Sequence, residues 1–292
     1  MAAPSVQIAF ANSAMPEPVR VGEGPHWNGH TGLLHWVDIL AGSIHTSDPA
    51  GGSTRSIYVP TLVGAAVPRR MGGFVAATSD GFATVDDDGR FETRLAILPG
   101  DSRMNDAKCD RLGRFWAGST EMKFAPGRGV LHVLFPDWTT RVVWEGLTLP
   151  NGLGWSVDGR TFYLVDTVEG EVCAFDTDPA TAQLSGRRVL RRFPSEHGMP
   201  DGLTVDAAGC LWIALWGGGR VVRISPDGEL LDEIAMPVHQ PSSCVFGGDA
   251  RDMLYVTSAR EGLELAAASD DGSVFLVTGL GAVGMRSEVF TG

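Results

Sequence analysis

Glu23, Asn105, Asn151 and Asp201 occupy one matching position in four copies of a repeated segment. Each stands ten or eleven residues ahead of the first bulky apolar residue of a strand that follows a Gly-containing turn. The segments read GEGPHWNGHTGLLHWVD, RMNDAKCDRLGRFWAGS, LPNGLGWSVDGRTFYLVD and MPDGLTVDAAGCLWIAL. Equivalent positions of radially arranged repeats face one axis, so two carboxylates and two amides would converge there. That is a donor set for a divalent cation. All four offer hard oxygen and no His or Cys joins them, which suits Ca²⁺, Mg²⁺ or Mn²⁺ better than a structural zinc site. Two charges on four ligands leave residual positive charge and room for water, the condition for polarising a carbonyl and acidifying that water. Asn151-Gly152 and Asp201-Gly202 taken singly also read as ordinary Asx-Gly turns. Glu23 does not fit that reading, and neither does a fourfold coincidence in register.

The elements that must position these residues are short strands. Anchoring on the first bulky residue after the turn marks Leu34, Phe74, Phe115, Phe162, Leu211 and Leu254, at separations of 40 to 49 residues. A period of this length built from short strands signals propeller blades. The turns VDDDGR, FPDW, SVDGR and SPDGE carry the Asp and Gly chemistry of hairpins. The expected fold is all-β, a six-bladed β-propeller of four-stranded antiparallel blades in a single domain over 1–292. In the second and sixth repeats the axial position falls on Val63 or Gly64 and on Ser242 or Ser243. The runs SVQIAFA and RSEVFTG lie outside the six units, and the N-terminal one is expected to complete the last blade and so protect its edge. EGLELAAAS, the weakest hint of helical period, reads as a loop.

Strand ends around the ring should form the pocket rim: Asp38, Ser119 to Lys123, Asp166, Trp216 and Arg260, with Arg103 two residues before Asn105. Arg, Lys, Trp and hydroxyls beside a cation read as a polyol or oxyanion pocket. Asp38, Asp166 and Arg260 read equally as solvated strand ends, whereas Trp216 is expected to stack on a ligand. His26 and His197 flank the ring segments and could line the pocket. Neither a nucleophile elbow nor a Cys–His pair appears, which leaves covalent nucleophilic catalysis without a candidate. A phosphate-cradling loop and a dinucleotide fingerprint are likewise missing.

Bulk properties agree with a binding or catalytic propeller. The 35 acidic residues outnumber 23 basic ones, and a net charge of −12 disfavours nucleic acid or an anionic membrane as partner. Cys109, Cys173, Cys210 and Cys244 show no metal or redox spacing and read as core thiols, which favours a reducing, cytoplasmic setting. The first twenty residues lack a signal-peptide pattern, and no apolar run is long enough to span a bilayer.

The segments GEGPHW, RMNDAKCDRLGRFWAGS, LPNGLGWSVDG, MPDGLTVDAAGCLWIALWGGGRVVRISPDG and QPSSCVFGGDARDMLYVTSAR resemble the gluconolactonase/regucalcin family, also called the senescence marker protein family. The resemblance runs from Glu23 to about Arg260. It implies a six-bladed propeller with one divalent cation, Ca²⁺ first and Zn²⁺, Mg²⁺ or Mn²⁺ as alternatives, and in many members hydrolysis of sugar lactones to aldonic acids. By resemblance Glu23, Asn151 and Asp201 are metal ligands, Arg103 and Asn105 contact substrate, and Asp201 is the general base. Where the family pattern has a substrate-contacting glutamate this chain has Lys123, with Glu121 two residues earlier. The implied partner is a small-molecule sugar lactone, bound by a monomer or weak homo-oligomer. The rival functions are a non-catalytic cation- or ligand-binding propeller and a metal-dependent hydrolase of other esters such as phosphotriesters.

Overall fold

Short runs of Val, Ile, Phe and Ala separated by glycine turns give strands of four to ten residues, and all but the first strand pair with their chain neighbours. The computed structural model describes residues 5–11, 18–264 and 269–292. Among these residues the strands form six four-stranded antiparallel sheets. The chain is thus a six-bladed β-propeller, and its innermost strands are Gly22–Asn28, Val63–Pro68, Ser102–Cys109, Pro150–Trp155, Met199–Val205 and Pro241–Gly247. No described helix is long and apolar enough to cross a membrane.

Each blade alone is too thin to bury both faces, so apolar side chains meet between blades. Val67, Val75 and Phe82 of the second blade pack on Met104, Phe115 and Leu134 of the third, and five comparable clusters fill the other junctions. The four cysteines are buried and free within or beside these cores. Buried carboxylates fasten the hairpins. Asp110 and Asp206 each accept an indole N–H six residues on, from Trp116 at 2.8 Å and Trp212 at 3.0 Å. The same two carboxylates take guanidinium partners in Arg114 and Arg223. Paired in this way they avoid the cost of an isolated buried charge.

The last blade is completed from the other end of the chain. Gln7–Phe10 runs antiparallel to Phe275–Thr278, and the Phe10 and Phe275 rings lie 5.3 Å apart. Deleting residues 1–12 is expected to expose the Phe275–Thr278 edge and lower the melting temperature by at least about 5 °C, measured by circular dichroism. An unchanged melt would show that the ring needs no such strand.

The C-terminal run RSEVFTG, strand-like in sequence, adds to no sheet. It crosses the end of the propeller opposite the ring residues, where Phe290 N donates to Pro68 O at 3.0 Å and Thr291 N to Gly113 O at 3.2 Å. The Phe290 side chain is fully buried between the second and third blades. An apolar residue was visible there in sequence, but its docking partner was not. EGLELAAAS, read as a loop, falls partly on 265–268, outside the described residues; Glu261 and Gly262 form a turn.

Candidate active site

Every innermost strand slips register at the same place. The shifts fall between Glu23 and His26, Val63 and Ala65, Met104 and Ala107, Pro150 and Leu153, Pro200 and Leu203, and Pro241 and Ser243. A bulge bends the strand and re-aims a side chain. Here six bulges turn the axial position of each blade inward, which is how residues far apart in sequence come to share one point.

Close approach of the strands accounts for the glycines beside the ring. A Cβ on Gly152 would lie 2.4 Å from Leu203 N, and one on Gly202 would overlap the Ser243 side chain. Neither glycine sits in a turn. Both lie within strands, so the Asx-Gly pairs mark backbone contact around the axis.

Glu23, Asn105, Asn151 and Asp201 are each at most 5% exposed and line one pocket of about 290 Å³. Asn151 Nδ2 donates to Thr167 Oγ1 at 3.0 Å and closely contacts Asp201 Oδ1. Glu23 Oε2 accepts Gly24 N–H at 2.9 Å. Burial, then the nearby Asp106 charge, pushes Glu23 up to about 8. Burial and the Glu23 charge hold Asp201 well above the usual carboxylate range. Two carboxyls facing each other in a dry place are costly to ionise unless a positive charge stands between them.

One atom confirms that the cluster is not closed on itself. Asn151 Oδ1 is buried without a hydrogen-bond partner, whereas nearly all such atoms in folded proteins have one. A hard cation held by Glu23, Asn151 and Asp201 would satisfy it, so the residues fit the group that the donor set suggests. Among the described residues no three His, Cys, Asp or Glu side chains gather as a metal cluster, and the third member of this donor set is an amide.

Asn105 is used differently. Its Oδ1 accepts Arg103 Nη1 at 2.6 Å and its Nδ2 donates to Pro150 O at 3.1 Å, so both ends of the amide have protein partners. It fixes the guanidinium over the pocket. Burial lowers Arg103 to about 10 against the pull of Glu23 and Asp201, leaving it charged at neutral pH.

The rim divides the remaining expectations. Trp216 lines the pocket. Asp38 and Asp166 instead clamp the chain where it enters an innermost strand: Asp38 accepts Arg20 N at 2.9 Å and Val21 N at 3.1 Å, Asp166 accepts Thr148 N and Leu149 N, both at 2.9 Å. Arg260 is outside the lining, and His197 is exposed beyond it. His26 lies on the far side of the ring, in a small cavity with Lys108 and the C-terminal segment. Lys123 and Glu121 do not line the pocket either; Phe124 does. The Glu121 carboxylate accepts Lys123 N at 2.9 Å and Ala125 N at 3.2 Å, holding Phe124 at a φ of 57°. Aromatic residues rarely adopt that conformation, and here a capped turn holds it in place.

Val21, Leu149, Met199 and Thr167 also line the pocket and went unnoticed in the sequence. The signal was present. Val21, Arg103, Leu149 and Met199 each precede a ring residue by two, and strand side chains repeat their direction every second residue.

Residues 21–260 match the family described as SMP-30/Gluconolactonase/LRE-like region. A protein named regucalcin from Danio rerio is 38% identical over 284 residues, 94% of this chain and 96% of its own length. Among solved structures, a luciferin-regenerating enzyme superposes with a TM-score of 0.88 at 32% identity, with 99% of each chain covered. A structure described as a calcium-binding protein, regucalcin, from Agrobacterium tumefaciens gives 0.88 at 27% identity, covering 94% of this chain and 95% of its own.

Proposed function

The chain belongs to the SMP-30/gluconolactonase/LRE-like family, and from that premise and the site's geometry we propose that it is a divalent-cation-dependent lactonase. The observation that carries the reading is Asn151 Oδ1, buried and unpartnered beside two carboxyls at the floor of an open pocket. Glu23, Asn151 and Asp201 would hold the ion, with calcium favoured by the hard-oxygen donors and by the description of one solved relative. When bound, such an ion supplies Lewis-acid stabilisation of charge on a carbonyl oxygen and acidifies water.

The protein's own groups do the rest. Arg103, braced by Asn105, donates to the substrate's oxygens and fixes the acyl group over the floor. Asp201 takes the proton from the attacking water on a carboxylate oxygen free of the ion. Water oxygen bonds to the acyl carbon, the ring C–O bond breaks, and that proton passes to the departing ring oxygen. The product is a hydroxy acid.

Regucalcin as a relative's name, and calcium binding in one description, favour a second reading in which the ion is held without turnover. A substrate panel separates the readings: aldonolactones, acyl-homoserine lactones and organophosphates, each assayed after chelation and after Ca²⁺, Mg²⁺, Mn²⁺ or Zn²⁺ is restored. Turnover of lactones that vanishes on chelation and returns with metal is expected. Phosphotriester turnover without lactone turnover, or tight metal binding with no turnover, would overturn the lactonase reading.

A further inference from the structure

The walls above the polar floor are mostly apolar. In the tier two residues before the ring, three positions are Val21, Leu149 and Met199, and Arg103 alone is charged. Ile39 and Leu40 continue this surface, and the Phe124 and Trp216 rings border it. Lys123, the residue whose ammonium could have served a polyol, is exposed outside the lining, while its neighbour Phe124 lines the pocket from the Glu121-capped turn.

A polyhydroxylated ring entering here would lose water from several hydroxyls and find on the walls only the Arg103 guanidinium, the Thr167 hydroxyl and, at the rim, the Glu261 carboxylate, which is already paired with Arg20 at 2.9 Å. Unmatched burial of a hydroxyl is unfavourable. An alkyl or aryl substituent would instead cover Val21, Leu40, Leu149 and Met199, with binding strengthening about fourfold per buried methylene. We infer that the site selects lactones carrying an apolar alkyl or aryl substituent over sugar lactones. The acyl oxygens lie at the Arg103 side and the substituent against the Phe124–Met199 wall. Glu121 acts as a positioning residue through Phe124.

The inference refines the lactonase reading and rests on it for turnover, so the test measures binding separately. Three lactones with one ring size are compared for kcat/KM: δ-valerolactone, its 6-pentyl derivative and D-glucono-δ-lactone. The matching non-hydrolysable lactams are titrated calorimetrically into the calcium-loaded protein. The pentyl compounds are expected to exceed the unsubstituted ones by at least about 50-fold in both measurements, and the sugar compounds to fall below them. Phe124→Ala should reduce the advantage of the pentyl compounds over the unsubstituted ones about tenfold in both measurements. Glu121→Gln should keep the advantage, since its amide oxygen can still cap the turn, whereas Glu121→Ala should lose it as Phe124→Ala does.

Pentyl-lactam binding without turnover of any lactone would overturn the lactonase reading and leave the apolar selectivity standing. Preference for the sugar compounds, a pentyl advantage unaffected by Phe124→Ala, or no lactam binding would overturn the selectivity.

Discussion

Asp201→Ala is expected to lower kcat/KM for five- and six-membered lactones by at least about a thousandfold. Loss of a general base alone costs about a hundredfold to ten-thousandfold, and the same change removes one of two carboxylates at the floor. The variant should remain folded. Asp201 is buried at 3%, and its partners are site groups, Glu23 and Asn151, rather than core side chains. A melt within a few degrees of wild type would confirm this. Asp201→Asn divides the two roles: it retains an oxygen donor but cannot take a proton. Calorimetric metal titration should then show affinity reduced less than activity. Activity within tenfold of wild type in the alanine variant would exclude Asp201 as the base.

Removal of divalent cations is expected to have the second largest effect, on activity and stability together. Without a positive charge at the floor, burial opposes ionisation of both Glu23 and Asp201, and the Glu23 charge further opposes that of Asp201. An ion that binds only the folded chain stabilises it by about 2.7 kcal/mol at a hundred times its dissociation constant. For a chain of this length that corresponds to a rise of roughly 4–5 °C in melting temperature. Scanning calorimetry after chelation, and again after calcium is restored, measures the difference. Asn151→Ala should abolish most of it, because it deletes the buried oxygen that has no protein partner. An equal melt with and without metal, at saturating calcium, would contradict an ion at this place.

The blade count was legible because it rests on local chemistry. Turn residues such as those of SVDGR and SPDGE, and apolar strands such as TFYLVD and CLWIAL, recur at 40 to 49 residues, and only a radial arrangement stacks six such units around a shared core. The four ring residues were legible for the same reason. They keep one offset from the post-turn strand, and the structure gathers all four at one pocket. Their roles were less legible. Asn105 and Asn151 look alike in sequence, yet one amide is saturated by Arg103 and Pro150 while the other keeps an unpartnered oxygen. Asp38 and Asp166 stand at strand ends where a pocket residue was expected, but backbone N–H groups of the incoming chain claim them.

By itself the sequence determined the repeat, its strand chemistry and the register of Glu23, Asn105, Asn151 and Asp201, because periodicity and turn preference act over a few residues. Only the tertiary structure decided what surrounds them: Phe124 facing the pocket in place of Lys123, the apolar tier of Val21, Leu149 and Met199, and the C-terminal segment closing the opposite end. Those features depend on which backbone passes within hydrogen-bonding reach of another, tens to hundreds of residues away. Spacing along the chain does not encode that distance; six bulges and a capped turn do.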